Sequence, residues 1–178
     1  MCGKFSGRRE SLRKYPIILF SPGLGTTRLF YGVLAQSVAK WGYIVVVIHH
    51  PYDVNIVEYS DGSSISGYTP TFVPPQEQAE TATAVRVQDV TFVLNERGGD
   101  SFAKNHLSGL TRNLDVTKVR IYGHSIGGAT AAAAMLGDHR LAGGLNLDGE
   151  YYGSVIKQEL DRPLLQFDST GHNRYNLT

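Results

Sequence analysis

The sequence predicts an α/β fold, a mostly parallel sheet with helices on both of its faces. Three observations predict it. Short apolar runs rich in β-branched residues are bounded by Pro or Gly, as strands buried on both faces are. These runs alternate with segments of helical periodicity, and a strand, helix, strand order implies parallel neighbours. Residues suited to chemistry gather just after the runs, at Ser21 to Gly25, His49 to Asp53, Gly123 to Gly127, Asp148 and Asp168 to His172. In doubly wound sheets ligands bind at those strand ends.

Taken in order, Ile17 to Phe20 is the first strand. A helix over Thr27 to Trp41 places Leu29, Phe30, Val33, Leu34, Ser37, Val38 and Trp41 at helical spacing and stops at Gly42, a good C-cap residue. Tyr43 to Ile48 is the second strand. From Pro51 to Pro75 no period is sustained, which reads as a long surface loop of the kind that shapes a substrate site. Gln76 to Arg97 is a helix through Ala79, Ala82, Thr83, Val90, Val93 and Leu94, stopped by Gly98-Gly99. Val119 to Tyr122 is a strand, Ile126 to Leu136 a small-residue helix, and Ala142 to Leu147 and Pro163 to Phe167 two more strands. Residues 1–14 form a polar, basic lead-in without the apolar core of a secretory signal, and the remainder reads as one domain within 1–178.

Composition excludes several function classes. Lys and Arg number 17 against 16 Asp and Glu, so no summed field holds a polyanion, and a small or apolar ligand is expected rather than nucleic acid. No apolar run reaches the roughly 18 residues of a transmembrane helix. The single cysteine, Cys2, forms no internal disulfide and leaves the compartment undefined. Neither H-E-x-x-H, GxGxxG nor a P-loop is present, so no metal and no cofactor is expected.

Gly123-His124-Ser125-Ile126-Gly127 fits the nucleophile elbow G-x-S-x-G, arriving from a strand and opening into a helix. The rival reading is a glycine-rich turn with a passive serine. An elbow needs glycines where strand and helix approach, and its helix N-terminus offers the Ile126 N–H to an oxyanion. Ser21-Pro22-Gly23-Leu24-Gly25 follows the first strand, where a second donor is expected, with Leu24 the candidate. Taken alone it is an ordinary Pro-Gly turn. Serine also needs a histidine base and an acid to orient it. Asp148 and Asp168 both end strands, and spacing does not choose between them. His172 is the only late histidine, four residues from Asp168 and poorly placed to face it. His124 reads as a packing residue pointing away from Ser125, His49 and His50 as pocket-lining or structural residues, and His106 and His139 carry no signal.

Phe20 to Gly25 with Arg28 and Tyr31, His50-Pro51-Tyr52-Asp53, Gly123 to Thr130, and Leu147-Asp148-Gly149 together give the chain, from about Tyr15 to its end, a resemblance to the plasma, or type II, platelet-activating factor acetylhydrolase group and related lipase-like α/β-hydrolases. The resemblance implies an α/β-hydrolase fold with Ser125 as nucleophile, Leu24 and Ile126 as oxyanion donors and Asp148 rather than Asp168 as acid. It implies calcium-independent hydrolysis of esters in phospholipids with short or oxidised sn-2 chains, taken from a lipid interface or as monomers. Related proteins are often secreted. It also places the catalytic histidine some tens of residues beyond Asp168, so the chain is expected to lack the last strand and its loop, and with them the base, unless His172 serves.

The expected function is therefore a serine-dependent carboxylic ester hydrolase, phospholipase- or lipase-like, with a Ser-His-Asp mechanism. The alternative is a truncated, non-catalytic hydrolase-fold protein that binds lipid or a protein partner. Acyl transfer to an alcohol is a third possibility, separable by product analysis.

Overall fold

The computed structural model describes residues 15–67, 76–97 and 114–169. The lead-in with Cys2, the last part of the 51–75 loop, the Gly98-Gly99 stop, His106 and His172 lie outside the described residues.

Five strands form one parallel sheet: β1 (Tyr15–Ser21), β2 (Ile44–Val47), β5 (Leu114–His124), β6 (Leu141–Leu147) and β7 (Leu164–Phe167), in the order β2-β1-β5-β6-β7. A separate antiparallel hairpin, β3 (Ile56–Glu58) with β4 (Ser64–Ser66), sits within the expected surface loop. Among the described residues the α-helices are α1 (Gly32–Ala39), α2 (Gln76–Arg97) and α3 (Ile126–Gly137). From β1 the chain moves to one side, to β2, and from β5 to the other, to β6. The boundary between β1 and β5 is thus a topological switch point, the place where ligands bind in open α/β sheets. Ser21 and Gly123 are paired across it, which brings the loop after β1 against the loop after β5.

Side-chain alternation along the strands builds two layers. On one face Ile17, Leu19, Val119 and Ile121 pack with Val90 and Leu94 of α2 and with Ala131, Ala134 and Met135 of α3. The small residues let α3 lie close: a methyl on Gly144 would come within 2.5 Å of Met135 Sδ. On the opposite face Ile18, Tyr122 and Leu147 line a groove of about 540 Å³ with Leu34 and Val38 of α1. Helices therefore occupy both faces, as the sequence predicts.

The first helix differs from expectation. Instead of one helix over Thr27 to Trp41, a 3₁₀ turn at Arg28–Tyr31 precedes the eight-residue α1. A 3₁₀ turn winds at three residues rather than 3.6, so Leu29 and Phe30 leave the stripe formed by Leu34 and Val38. Leu29, Phe30, Val33 and Trp41 are exposed instead of buried. β2 is likewise an edge strand, half-buried along its length rather than covered on both faces. Among the described residues no helix is long and apolar enough to cross a membrane.

Candidate active site

Ser125 stands between β5 and α3 with φ 54 and ψ −127, a conformation that non-glycine residues adopt only under constraint. Its own backbone supplies that constraint. The Ser125 N–H donates to the Leu147 carbonyl at 2.8 Å, and its carbonyl accepts from Gly128 N at 2.8 Å and Ala129 N at 3.2 Å. Close packing adds to it: a methyl on Gly123 would lie 2.1 Å from Gly127 O, and one on Gly127 would lie 2.0 Å from Ser21 O. Both glycines are therefore obligatory, and the elbow rests directly on the end of β1. Among the described residues Ser125 Oγ makes no hydrogen bond, and the Ile126 N–H, the first of α3, is unpaired. An unpaired amide at a helix start favours negative charge before it.

The loop after β1 is held from several directions. Gly23 N–H donates to Tyr31 Oη at 3.2 Å, and the same hydroxyl lies 2.8 Å from His124 Nδ1. Gly23 O accepts from Thr26 Oγ1 at 2.6 Å, and Gly25 N–H donates to the Asp53 carbonyl at 3.0 Å. Leu24 N–H, between these fixed points, is unpaired among the described residues. His124 is therefore more than a packing residue, since it ties the elbow to this loop through Tyr31.

Beneath the loop lies a buried polar network that the sequence did not announce. Arg86, 1% exposed, points from α2 and meets both carboxylate oxygens of Asp53, Nε to Oδ2 at 2.5 Å and Nη2 to Oδ1 at 2.8 Å. Its Nη1 donates to the Pro22 carbonyl at 2.5 Å. Beside it, Ser21 Oγ is 2.9 Å from His50 Nε2, and His50 Nδ1 is 2.7 Å from Asp89 Oδ2. Burial, above all, lowers the His50 pKa, with the Arg86 charge adding to it and the Asp89 hydrogen bond opposing it. The neutral ring then donates from Nδ1 to Asp89 and accepts the Ser21 hydroxyl at Nε2. The connectivity is that of a Ser-His-Asp triad. Access decides against that role, because Ser21 is 0% and His50 2% exposed, and no substrate reaches them. His49 pairs with Arg28, and its pKa is lowered by burial and by that guanidinium.

The two acid candidates sit in different settings. Asp148 directly follows β6 with φ 57, its N–H donating to Phe167 O at 2.7 Å and its Oδ1 accepting Ser169 N–H at 2.7 Å. The turn is shaped by buried Asn146, whose amide bonds both N–H and C=O of Gly149. Gly149 in turn packs under the elbow, since a methyl there would lie 2.3 Å from Ser125 O. Asp168, by contrast, is exposed and accepts a hydrogen bond from the Gln166 amide. The structure thus brings the Asp148 turn, the elbow and the Leu24 loop together. No described histidine hydrogen-bonds Ser125, and His139 lies at the surface near Asp161. No cluster of three metal-ligating side chains occurs among the described residues.

Sequence reasoning missed Thr26, Arg86 and Asp89. Arg86 did leave a signal: it falls on the buried face of α2 at helical spacing with Ala79, Thr83, Val90 and Leu94, and a cation there requires a buried acceptor.

A profile of the family described as platelet-activating factor acetylhydrolase, isoform II, matches residues 5–176. The chain is 36% identical over 168 residues to a probable 1-alkyl-2-acetylglycerophosphocholine esterase of Arthroderma benhamiae, covering 92% of this chain and 40% of that protein. It is 27% identical over 186 residues to the platelet-activating factor acetylhydrolase of Cavia porcellus, covering 93% and 42%. The chain thus spans about two fifths of the length of the curated relatives it matches. Among solved structures, a ferulic acid esterase from Streptomyces cinnamoneus superimposes with a TM-score of 0.72 at 27% identity, over 87% of this chain and 42% of that one. The fold is an α/β-hydrolase fold.

Proposed function

The chain belongs to the platelet-activating factor acetylhydrolase isoform II family, and from that premise we propose that it carries the nucleophile, acid and oxyanion hole of a serine-dependent carboxylic ester hydrolase. The observation that carries this is Ser125: a non-glycine residue held at φ 54 between two obligatory glycines, its hydroxyl unpaired among the described residues at the start of a helix.

In this reading Ser125 Oγ attacks an ester carbonyl while a histidine base takes its proton. The carbonyl oxygen becomes an oxyanion, received by the unpaired N–H groups of Leu24 and Ile126. Collapse expels the alcohol, which receives the proton from the base, and leaves an acyl-serine. Water, deprotonated by the same base, attacks the acyl-serine to release the acid and restore Ser125. Asp148 orients the base. It is preferred over Asp168 because its turn packs against the elbow through Gly149. His172, three residues beyond the Ser169 amide that bonds Asp148, is the histidine within this chain to test as base. The substrate class is phospholipids with a short sn-2 acyl chain, in keeping with the relatives' names, met as monomers or at a lipid interface.

A second reading, a non-catalytic lipid- or protein-binding chain, is favoured by one observation: the four described histidines are all engaged away from Ser125. The test is turnover of 1-alkyl-2-acetylglycerophosphocholine and 4-nitrophenyl acetate by the full chain and by Ser125→Ala, Asp148→Asn, Asp168→Asn and His172→Ala. The esterase reading expects Ser125→Ala to remove turnover, Asp148→Asn to lower it by up to about 10⁴-fold and Asp168→Asn to leave it unchanged. Folded wild-type chain without turnover, or Ser125→Ala with full turnover, would contradict it.

A further inference from the structure

We propose that Tyr31 and Thr26 are positioning residues that grip the two peptide groups flanking Gly23 and so aim the Leu24 N–H across the front of Ser125. The inference rests on the esterase reading for its kinetic consequence, and on geometry alone for its structural one.

A trans peptide holds its C=O and N–H in one plane, pointing in opposite directions, and no described peptide bond is cis. Fixing one end therefore fixes the other. The Pro22–Gly23 peptide is fixed at both ends: its carbonyl accepts from Arg86 Nη1, and its N–H donates to Tyr31 Oη. The Gly23–Leu24 peptide is fixed at its carbonyl, which accepts from Thr26 Oγ1 at 2.6 Å and Thr26 N–H at 3.3 Å. Its other end is the Leu24 N–H, which must then point away from Thr26. Gly25, next in the chain, is anchored to the Asp53 carbonyl. Of these successive amides, Leu24 alone is left without a partner among the described residues.

Tyr31 also joins this loop to the elbow. Its hydroxyl bridges Gly23 N and His124 Nδ1, and His124 directly precedes Ser125. One phenolic oxygen thereby sets the spacing between the segment that bears Leu24 and the segment that bears Ser125 and Ile126. The ring is itself held against Phe20, with centroids 4.7 Å apart. Glycine at 23 leaves room for the bridge, since a methyl there would come within 3.1 Å of both the Tyr31 hydroxyl and His124 Nδ1 and push each back by a few tenths of an ångström.

The test uses the full chain and three gentle variants: Tyr31→Phe, which removes one oxygen, Thr26→Val, which removes one donor at equal volume, and Thr26→Ser, which restores it. Removing a whole oxyanion donor costs about 10² to 10³ in kcat, so a donor left in place but loosened is expected to lower kcat on 4-nitrophenyl acetate by about 10-fold. KM should stay within about 2-fold, since the hole acts on the transition state. Thr26→Ser should retain wild-type kcat. In parallel, the backbone amide resonance of Leu24 should move in Tyr31→Phe and Thr26→Val while that of Met135, on the far turn of α3, stays in place. An unchanged kcat, or a rise in KM that accounts for the loss, would overturn the kinetic claim. Should the wild-type chain turn over no ester, the esterase reading fails separately and the amide resonances decide: a displaced Leu24 signal supports the grip, and an unmoved one in both variants overturns it.

Discussion

Replacing Arg86 with Met keeps the volume of the buried side chain and deletes its charge. Arg86 is 1% exposed, and its partner Asp53 is 19% exposed. Breaking a buried ion pair from one side costs about 3–5 kcal/mol, and the partial exposure of Asp53 argues for the lower end. The Pro22 carbonyl also loses its guanidinium donor, which adds about 1–2 kcal/mol. The total is about 4 kcal/mol, a large share of the 5–15 kcal/mol by which such domains are stable. With a urea m-value of about 2 kcal/mol/M, the unfolding midpoint should fall by about 2 M, read by far-UV circular dichroism. Asp53→Asn added to Arg86→Met removes the stranded charge and should recover part of the loss. A fall below about 0.5 M for Arg86→Met, or a double variant whose losses simply add, would refute the assignment of a buried ion pair under the loop.

Three further outcomes follow from the same packing and protonation arguments. Gly127→Ala would place a methyl 2.0 Å from Ser21 O, so the end of β1 and the start of α3 must separate; it should lose about 3 kcal/mol, the upper end for overpacking, in thermal melts. Gly137→Ala, with nothing within 4 Å, should instead stabilise by up to about 1 kcal/mol. Burial holds the His50 pKa below 6.5, so as pH falls through about 6.5 the unfolded chain binds a proton that the native chain excludes. Stability therefore declines toward acid by up to about 1.4 kcal/mol per pH unit until the native pKa is reached. His49 acts in the same direction, so His50→Gln should reduce this slope between pH 7.5 and 5.5 without abolishing it; urea midpoints at the two pH values give the slope, and an unchanged one would remove His50 as a source.

Much of the fold was legible because its signals are local. The Gly123 to Gly127 elbow announces its own backbone, since both glycines meet another backbone within a few residues or at a paired strand end. Helix α2 covers Gln76–Arg97, the residues that helical spacing marks in the sequence. The 3₁₀ turn at Arg28–Tyr31 was not legible, because the winding there accompanies a tertiary contact, Tyr31 to Gly23 and His124, that periodicity does not register. The supports of the Leu24 loop were hidden for the same reason. His50 and Asp89 are separated by 39 residues and Arg86 and Asp53 by 33, distances over which only the folded topology brings them together. The choice of Asp148 over Asp168 came from family resemblance in the sequence, and the packing of its turn under the elbow adds an independent physical argument.

The central claim is that Ser125 is an activated nucleophile, and covalent labelling tests it most directly. The full chain is treated with a fluorophosphonate probe beside Ser125→Ala, and any adduct is located by peptide mass spectrometry. The account expects a single adduct on Ser125, absent from the variant, with buried Ser21 unlabelled despite its contact with His50. Folded wild-type protein that takes up no probe, or that carries the adduct on another serine, would contradict it.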